Sequence, residues 1–289
     1  MKSKLLGIIV SFMIIPLSSC KQKENISEMK IIYLHHSTGG VIWRGGKTPF
    51  MTKVIRRINI RLADIIGARE RMPLLISKYN KVQNRNYLIE EKAFPKATPY
   101  GWNNYPYDYY NIWVKNAGEK PFLEEPTLEI LTKEYQVIIF KHCYPVSNIL
   151  SDQEPADINS DKKTIVNYKL QYSALRNKLH EFPDTKFILF TGAAQVKSNL
   201  TEAEAKRTRE FFEWVIDEWD LPDDNIYIWD LYRLQTEGGL YLRDKYAVSL
   251  NDSHPTDDFA GKAVKLLFNR IIDIVENNGN GTQQTGELK

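Results

Sequence analysis

Residues 31–40 of this chain read Ile-Ile-Tyr-Leu-His-His-Ser-Thr-Gly-Gly, an apolar run followed at once by a polar segment. β-branched and aromatic residues in an unbroken apolar run predict a buried strand. Gly39 and Gly40 permit a tight turn in which the backbone comes close to a ligand. The sequence therefore predicts that Ser37 lies on a turn directly after a core strand.

Similar apolar runs recur along the chain, with helical patterns between them. They predict strands over residues 30–34, 137–140, 186–190 and 225–229, and a further strand over 87–92. The helical patterns cover residues 52–66, 74–82, 164–180, 201–219 and 257–276. Thr201 and Glu204 have the spacing of a capping box. Strands that alternate with helices predict an α/β fold, a three-layer α/β/α sandwich with a central, mostly parallel sheet.

The first 19 residues have the features of a secretory signal peptide. Lys2 and Lys4 provide a positive start, residues 5–16 are apolar but too few to span a bilayer, and small residues precede Cys20. A cysteine here is typical of a bacterial lipoprotein signal, after which it becomes the lipidated first residue. A secretory signal with a coincidental cysteine is the alternative. The pattern predicts a lipoprotein anchored to a membrane of the bacterial cell envelope, on its periplasmic or cell-surface face.

The remainder of the chain predicts one domain. Residues 20–29 form a polar tether, residues 30–276 hold the predicted strands with an irregular insertion around 45–126, and the polar residues 277–289 are predicted to be disordered. The net charge of +3 is spread along the chain, which argues against nucleic-acid binding. Because the sequence has no zinc-type Cys/His spacing and no phosphate-binding glycine motif, no metal or nucleotide cofactor is predicted.

A second polar cluster, Asn-Asp-Ser-His-Pro at residues 251–255, precedes the last predicted helix. Ligands bind at the carboxyl ends of parallel strands, where both Ser37 and His254 are predicted to lie. A serine hydroxyl becomes nucleophilic when an imidazole accepts its proton and an acid orients that imidazole. Taken alone, each residue is also explained as a capping serine or a loop histidine. Their placement at one sheet edge favours a catalytic pair.

This arrangement resembles the SGNH, or GDSL-like, hydrolases. In that family an α/β/α fold carries a nucleophilic serine after the first strand, with a histidine and an acid together near the C-terminus. The resemblance covers nearly the whole mature chain in the order of its elements, although His-His-Ser at residues 35–37 stands where the family usually has Gly-Asp-Ser. It implies that Ser37 is the nucleophile and His254 the base.

The acid departs from the usual pattern of the family. Asn251 stands at the position of the acid in Asp-x-x-His, and Asp252 lies two residues before His254. An Asp-x-His version occurs in relatives that act on acetyl groups of polysaccharides, so the resemblance implies that Asp252 orients the histidine. Asp257 and Asp258 are alternatives that are better explained as carboxylates in the first turn of a helix.

The resemblance also implies an oxyanion hole formed by the Ser37 amide, a glycine amide and an asparagine side chain. Gly101 is the best match for the glycine. Asn148 is the available asparagine, four residues later than the family spacing, and is equally well explained as a turn residue.

Residues 100–113 contain five tyrosines and two tryptophans interleaved with asparagines. Aromatic faces beside amide groups suit sugar rings, whereas packing of the insertion onto the sheet is the alternative explanation. We predict substrate contacts from His36, Trp102, Asn103 and His142.

Together these features predict a lipid-anchored serine esterase that removes acetyl or other acyl groups from carbohydrate. Two alternatives remain open: a polysaccharide O-acyltransferase that uses the same residues, and a non-catalytic glycan-binding lipoprotein. The predicted partners are an acylated carbohydrate or other small ester and, through the lipid on Cys20, a membrane.

Overall fold

The computed structural model describes residues 28–46, 70–96, 98, 104–152 and 154–289. In this part of the chain the central sheet has five strands: β1 Met29–His35, β2 Tyr87–Ala93, β3 Val137–Lys141, β4 Lys186–Phe190 and β5 Ile226–Trp229. They are ordered β2-β1-β3-β4-β5, and all neighbouring strands run parallel. The predicted parallel sheet is confirmed.

Helices cover both faces of the sheet. In chain order they are α1 Thr38–Arg44, α2 Arg71–Gln83, α3 Pro106–Tyr109, α4 Leu128–Glu134, α5 Ile165–His180, α6 Glu202–Trp214, α7 Leu231–Thr236 and α8 Asp257–Asn277. Two continue as π-helical turns, α3 through Tyr110–Lys115 and α6 through Val215–Trp219. The predicted capping box begins α6, where the Thr201 hydroxyl accepts from the Glu204 N–H and the Glu204 carboxylate accepts from the Thr201 N–H.

The strands β1, β3, β4 and β5 each contribute to two separate hydrophobic clusters, because successive side chains point to opposite faces of the sheet, whereas the edge strand β2 contributes to one. In β1, Ile31 and Tyr33 pack with α1, α2 and α8, whereas Ile32 and Leu34 pack with α3 to α6 on the other face. Strands buried on both faces have unbroken apolar sequences, which is why the sequence located them. The predicted three-layer α/β/α sandwich is therefore confirmed.

The strand order creates a crevice at one edge of the sheet. The strand that follows β1 in the chain, β2, lies on one side of β1, and β3 lies on the other side. The connections that leave the neighbouring strands β1 and β3 therefore run in opposite directions. In doubly wound sheets with this order, ligands bind outside the carboxyl ends of these two strands. The segments that follow β1 and β3 therefore line the expected site.

Residues 278–289 pack against α8 and β5, so the predicted disorder of the tail is wrong. The Asp273 carboxylate of α8 accepts hydrogen bonds from the backbone N–H groups of Gly281 and Thr282, at 2.9 and 2.8 Å. Trp229 of β5 donates its indole N–H to the Thr285 carbonyl at 3.0 Å. The tail is polar in composition, but partners outside it satisfy its backbone groups.

Some predictions fall outside the described residues. These are the signal peptide at residues 1–19, Cys20, most of the tether, the helix at 52–66, and Gly101. In the part of the chain that the structure does describe, no helix is both long and apolar enough to cross a membrane.

Candidate active site

Ser37 lies at the apex of a sharp turn between β1 and α1. Its φ of 43° and ψ of −105° are strained for a residue other than glycine. The turn is tight because α1 packs directly on β1: a Cβ atom at Gly39 would lie 2.5 Å from the Cβ of His35 and 2.8 Å from the Tyr33 hydroxyl. A strained serine on a strand-to-helix turn is how α/β-hydrolases expose their nucleophile. Ser37 is likewise exposed.

His254 reaches Ser37 on a two-stranded antiparallel ribbon from the C-terminal part of the chain. The ribbon consists of β6 Ala247–Ser249 and β7 Asp252–Pro255. The sequence predicted a loop here, and the structure places His254 in the short strand β7 instead. Its Nε2 atom lies 2.5 Å from Ser37 Oγ, although 217 positions separate the two residues. The structure therefore brings the predicted pair together.

Asp252 is bonded to the other ring nitrogen. Its Oδ1 atom lies 2.7 Å from His254 Nδ1 and accepts the His254 backbone N–H at 2.9 Å. The Asp-x-His spacing works because residues two apart on a strand point to the same face. Ser253 points the opposite way and is buried, and its hydroxyl oxygen accepts the Val196 N–H at 3.1 Å. This bond fastens the ribbon to the segment after β4.

Hydrogen bonds favour the ionised form of Asp252. The pKa of Asp252 is lowered first by the His254 backbone N–H and then by the His254 ring. An ionised Asp252 accepts the hydrogen on Nδ1, which leaves Nε2 with a lone pair that faces the Ser37 hydroxyl. Asp257 and Asp258, the alternative acids, lie in the first turn of α8.

Ser37, His254 and Asp252 thus form an unbroken chain of hydrogen bonds at the carboxyl edge of the sheet. Comparisons of the chain with protein-family models, curated proteins and solved structures return no significant match. The hydroxyl, imidazole and carboxylate stand in the order that activation of a serine requires. Among the described residues, no group of three or more His, Cys, Asp or Glu side chains is placed to hold a metal ion.

Tyr144 is a further side chain at the reactive atoms, and it was not predicted from the sequence. It begins a 3₁₀ turn, Tyr144–Ser147, that follows β3. Its hydroxyl lies 2.7 Å from each ring nitrogen of His254 and also interacts with the Ser37 hydroxyl. Burial raises the pKa of Tyr144 to about 12, so the phenol is protonated at neutral pH. Its place soon after β3, the strand beside β1, is the signal that could have found it.

The structure gives Asn148, the predicted oxyanion residue, no hydrogen bond within the described part of the candidate site. It follows the 3₁₀ turn, and among the described residues it has no hydrogen bond to Ser37 or His254. The turn is drawn away from β1: the Ser147 hydroxyl donates to a backbone carbonyl after β4, and the Thr208 hydroxyl of α6 donates to the Ser147 carbonyl at 2.6 Å. The oxyanion role of Asn148 stays a prediction.

His142 and His36 were predicted to contact substrate, but both rings are buried. The His142 ring packs edge-on against Tyr109, with 4.7 Å between ring centroids, and bonds to the Tyr172 hydroxyl. Burial lowers the pKa of His142 to about 3, so its ring stays neutral. The His36 ring bonds to the Pro95 carbonyl. Neither histidine is open to substrate, because residues directly at a strand end are still covered by the helices packed on the sheet.

The described part of the aromatic-rich segment belongs mostly to the core. The buried rings are Tyr105, Tyr109, Tyr110 and Trp113. The Trp113 indole N–H, for example, donates to the Pro126 carbonyl at 3.1 Å. Packing onto the sheet, the alternative explanation, therefore holds for these rings. Gly101, Trp102 and Asn103 lie outside the described residues, and their roles stay predictions.

Lys141 lies beneath the site at the end of β3 and is fully buried. Its ammonium group donates to the His36 carbonyl at 3.2 Å and lies 3.3 Å from the Cys143 sulfur. Burial lowers the pKa of Lys141. The bond to His36 joins β3 to the turn that holds Ser37.

Proposed function

We propose that this protein is a serine hydrolase that cleaves ester bonds. The observation that carries the proposal is the hydrogen-bonded chain from Ser37 Oγ to His254 Nε2, at 2.5 Å, and from His254 Nδ1 to Asp252 Oδ1, at 2.7 Å. This chain lies at the switch point of a doubly wound sheet, where such folds bind ligands. The strain at Ser37 supports the same role, because unfavourable backbone angles cluster at functional sites.

In the proposed reaction Ser37 Oγ attacks the acyl carbon while its proton passes to His254 Nε2. The resulting tetrahedral oxyanion collapses to an acyl-serine as the protonated His254 gives its proton to the leaving alkoxide. A water molecule, deprotonated by the same imidazole, then releases the acid and regenerates Ser37. Asp252 keeps the ring oriented and stabilises the imidazolium in both steps.

The exposure of the site supports a substrate whose acyl group is carried on a large molecule. The side chains of His254 and Asp252 are 39% and 44% exposed, and the ribbon that carries them is separate from the central sheet. An open site of this kind admits an acetyl group on a polysaccharide, the substrate class that the Asp-x-His resemblance implies. With a lipid on Cys20, the enzyme would act at the surface of a bacterial envelope membrane.

Ester hydrolysis tests the proposal directly. The parent protein and the variants Ser37→Ala and His254→Ala are assayed in parallel with a small activated acetyl ester. We expect kcat/KM to fall by about 10⁴-fold or more in both variants. Ser173→Ala is the matched control, because its hydroxyl donates to the Lys169 carbonyl within α5 at 2.7 Å, and its kcat/KM should equal that of the parent.

Other outcomes separate the alternatives. Activity that survives both substitutions would contradict the serine mechanism. Acetyl transfer that requires an added sugar hydroxyl as acceptor would indicate an O-acyltransferase that uses the same residues. A folded protein without acyl chemistry on esters or acetylated polysaccharides, but with affinity for glycans, would indicate a binding lipoprotein.

A further inference from the structure

The proposed reaction needs hydrogen-bond donors beside Ser37 and His254. Negative charge develops on the former carbonyl oxygen of the substrate, and donors already aimed at that position lower the barrier. Of the predicted donors, Gly101 lies outside the described residues, and Asn148 has no hydrogen bond to Ser37 or His254. We propose that the Tyr144 hydroxyl donates a hydrogen bond to the oxyanion and is thus a catalytic residue. The inference rests on the serine mechanism proposed above.

The geometry brings the phenol to the reacting atoms. The Tyr144 hydroxyl lies 2.7 Å from His254 Nε2, the atom that receives the serine proton, and it interacts with the Ser37 hydroxyl. In the tetrahedral intermediate the oxyanion and Oγ are bonded to the same carbon atom. A hydroxyl donor this close to the reacting atoms can turn its hydrogen toward the oxyanion by rotation about its own C–O bond.

The Tyr144 hydroxyl interacts with the Ser37 and Thr38 hydroxyls. Neither ring nitrogen of His254 requires the hydrogen of this hydroxyl. His254 Nδ1 donates to Asp252, and His254 Nε2 accepts from Ser37. The phenol can direct its hydrogen to Oγ in the resting enzyme and to the oxyanion once Oγ has joined the acyl carbon. No proton leaves Tyr144: the Oγ–C bond forms, the carbonyl π pair moves onto oxygen, and the serine proton goes to Nε2.

Tyr144 is held in place from two sides. The Gln195 side-chain amide donates to the Tyr144 carbonyl at 3.1 Å, and the Tyr144 ring packs edge-on against His254 with 5.3 Å between centroids. Its raised pKa, about 12, keeps the donor protonated throughout the neutral range. A fixed, protonated donor needs little reorganisation when charge develops, and removal of one such donor lowers kcat by about 10²–10³-fold in serine hydrolases.

The first test removes only the hydroxyl. In Tyr144→Phe we expect kcat on the activated acetyl ester to fall by about 10²–10³-fold. KM should change little, because the bond forms in the transition state rather than in the ground state. The acid limb of the pH profile of kcat/KM should stay in place, because His254 keeps its bond to Asp252.

Tyr232→Phe is the matched control. Its hydroxyl donates to the Leu240 carbonyl at 3.0 Å, a contact that involves neither Ser37 nor His254, and the kcat of the variant should equal that of the parent.

A second variant keeps the shape of the side chain at position 144 by replacing the tyrosine with a ring-fluorinated tyrosine, whose phenol ionises at lower pH. Because a phenolate cannot donate, kcat should acquire a new alkaline limb that the parent lacks.

The outcomes distinguish this inference from the proposed function. An unchanged kcat in Tyr144→Phe, or a fluorinated variant without a new alkaline limb, overturns the role of Tyr144 and leaves the serine mechanism standing if Ser37→Ala is inactive. A shift of the acid limb together with the fall in kcat also overturns it, because Tyr144 would then act through His254. An inactive parent, or an active Ser37→Ala, overturns both.

Discussion

The two halves of the candidate site are built from different parts of the molecule. The core half, residues 35–40, follows the buried strand β1, and the close packing of α1 holds Ser37 in its strained conformation. The ribbon half, residues 247–255, carries His254 and Asp252 on a separate two-stranded sheet, with both side chains more than a third exposed.

The difference shows that one half of the site is held rigid by packing, whereas the other half is open to solvent. The core half fixes the direction of the Ser37 side chain, because β1 and α1 cannot shift without loss of close packing. The ribbon half presents His254 and Asp252, the proposed base and acid, beside solvent. We therefore expect changes that disturb the packing of the core half to lower both the free energy of unfolding and kcat, whereas changes to the exposed side chains of the ribbon half lower activity alone.

Asp252→Asn tests the ribbon half and is expected to have the largest effect on activity. An amide cannot orient and stabilise protonated His254 as a carboxylate does, so kcat should fall by about 10⁴-fold. The free energy of unfolding should change little, because the Asp252 side chain is largely exposed. Ester kinetics and urea unfolding measure the two quantities. Asp258→Asn, in the first turn of α8, is the control, and equal losses of activity in both variants would count against Asp252 as the orienting acid.

Gly39→Ala breaks the core half. The added Cβ would lie 2.5 Å from the His35 Cβ and 2.8 Å from the Lys141 Cδ, so α1 and β1 must separate. We expect the free energy of unfolding to drop by about 1–3 kcal/mol, and kcat to fall with it as the Ser37 turn moves. In the control, Gly261→Ala on α8, the nearest contact is 3.5 Å and alanine should stabilise the helix by up to about 1 kcal/mol. Unaltered stability and activity in Gly39→Ala would refute the tight packing of this turn.

Lys141→Met tests the support beneath the core half and has the smallest expected effect. Burial lowers the pKa of Lys141 in the folded chain. Between that lowered value and the pKa of about 10.4 in the unfolded chain, the unfolded chain therefore binds more protons than the folded chain does. The parent should therefore gain stability relative to the variant as pH rises from neutrality toward that value. Unfolding curves at a series of pH values measure this slope, and parallel curves for the two proteins would contradict it.

Lys186→Met provides a matched control for activity. Burial also lowers the pKa of Lys186, whose ammonium group donates to the Ile274 carbonyl at 2.8 Å. Both variants should lose some of the pH slope. Only Lys141→Met should also lower kcat, by several-fold, because only Lys141 bonds to His36 in the turn that holds Ser37.

The sheet was predictable because its strands are short apolar runs whose character does not depend on distant residues. The strand predicted over residues 186–190 matches β4 at both ends. The tail was not predictable, because its order depends on Asp273 and Trp229, which bond to it from α8 and β5. Polar composition alone gives no sign of such partners.

The serine, histidine and acid were predictable because each lies beside a recognisable strand or helix boundary. The place of Tyr144 soon after β3 puts it near the sheet edge, but its contact with His254, like the position of Asn148, depends on the path of the 3₁₀ turn, which has no hydrophobic period. The burial of His142 likewise depends on Tyr109 and Tyr172, which come from other elements.

The positive φ of Ser37 places the demands of stability and of the proposed activity in conflict at a single position. Glycine adopts such angles without strain, so Ser37→Gly would remove the strain and the nucleophile together. A library of variants sorted only for survival at high temperature is therefore expected to enrich glycine at this position. Any effort to engineer a hardier form of the protein has to hold position 37 fixed, because the screen would otherwise reward loss of the proposed nucleophile.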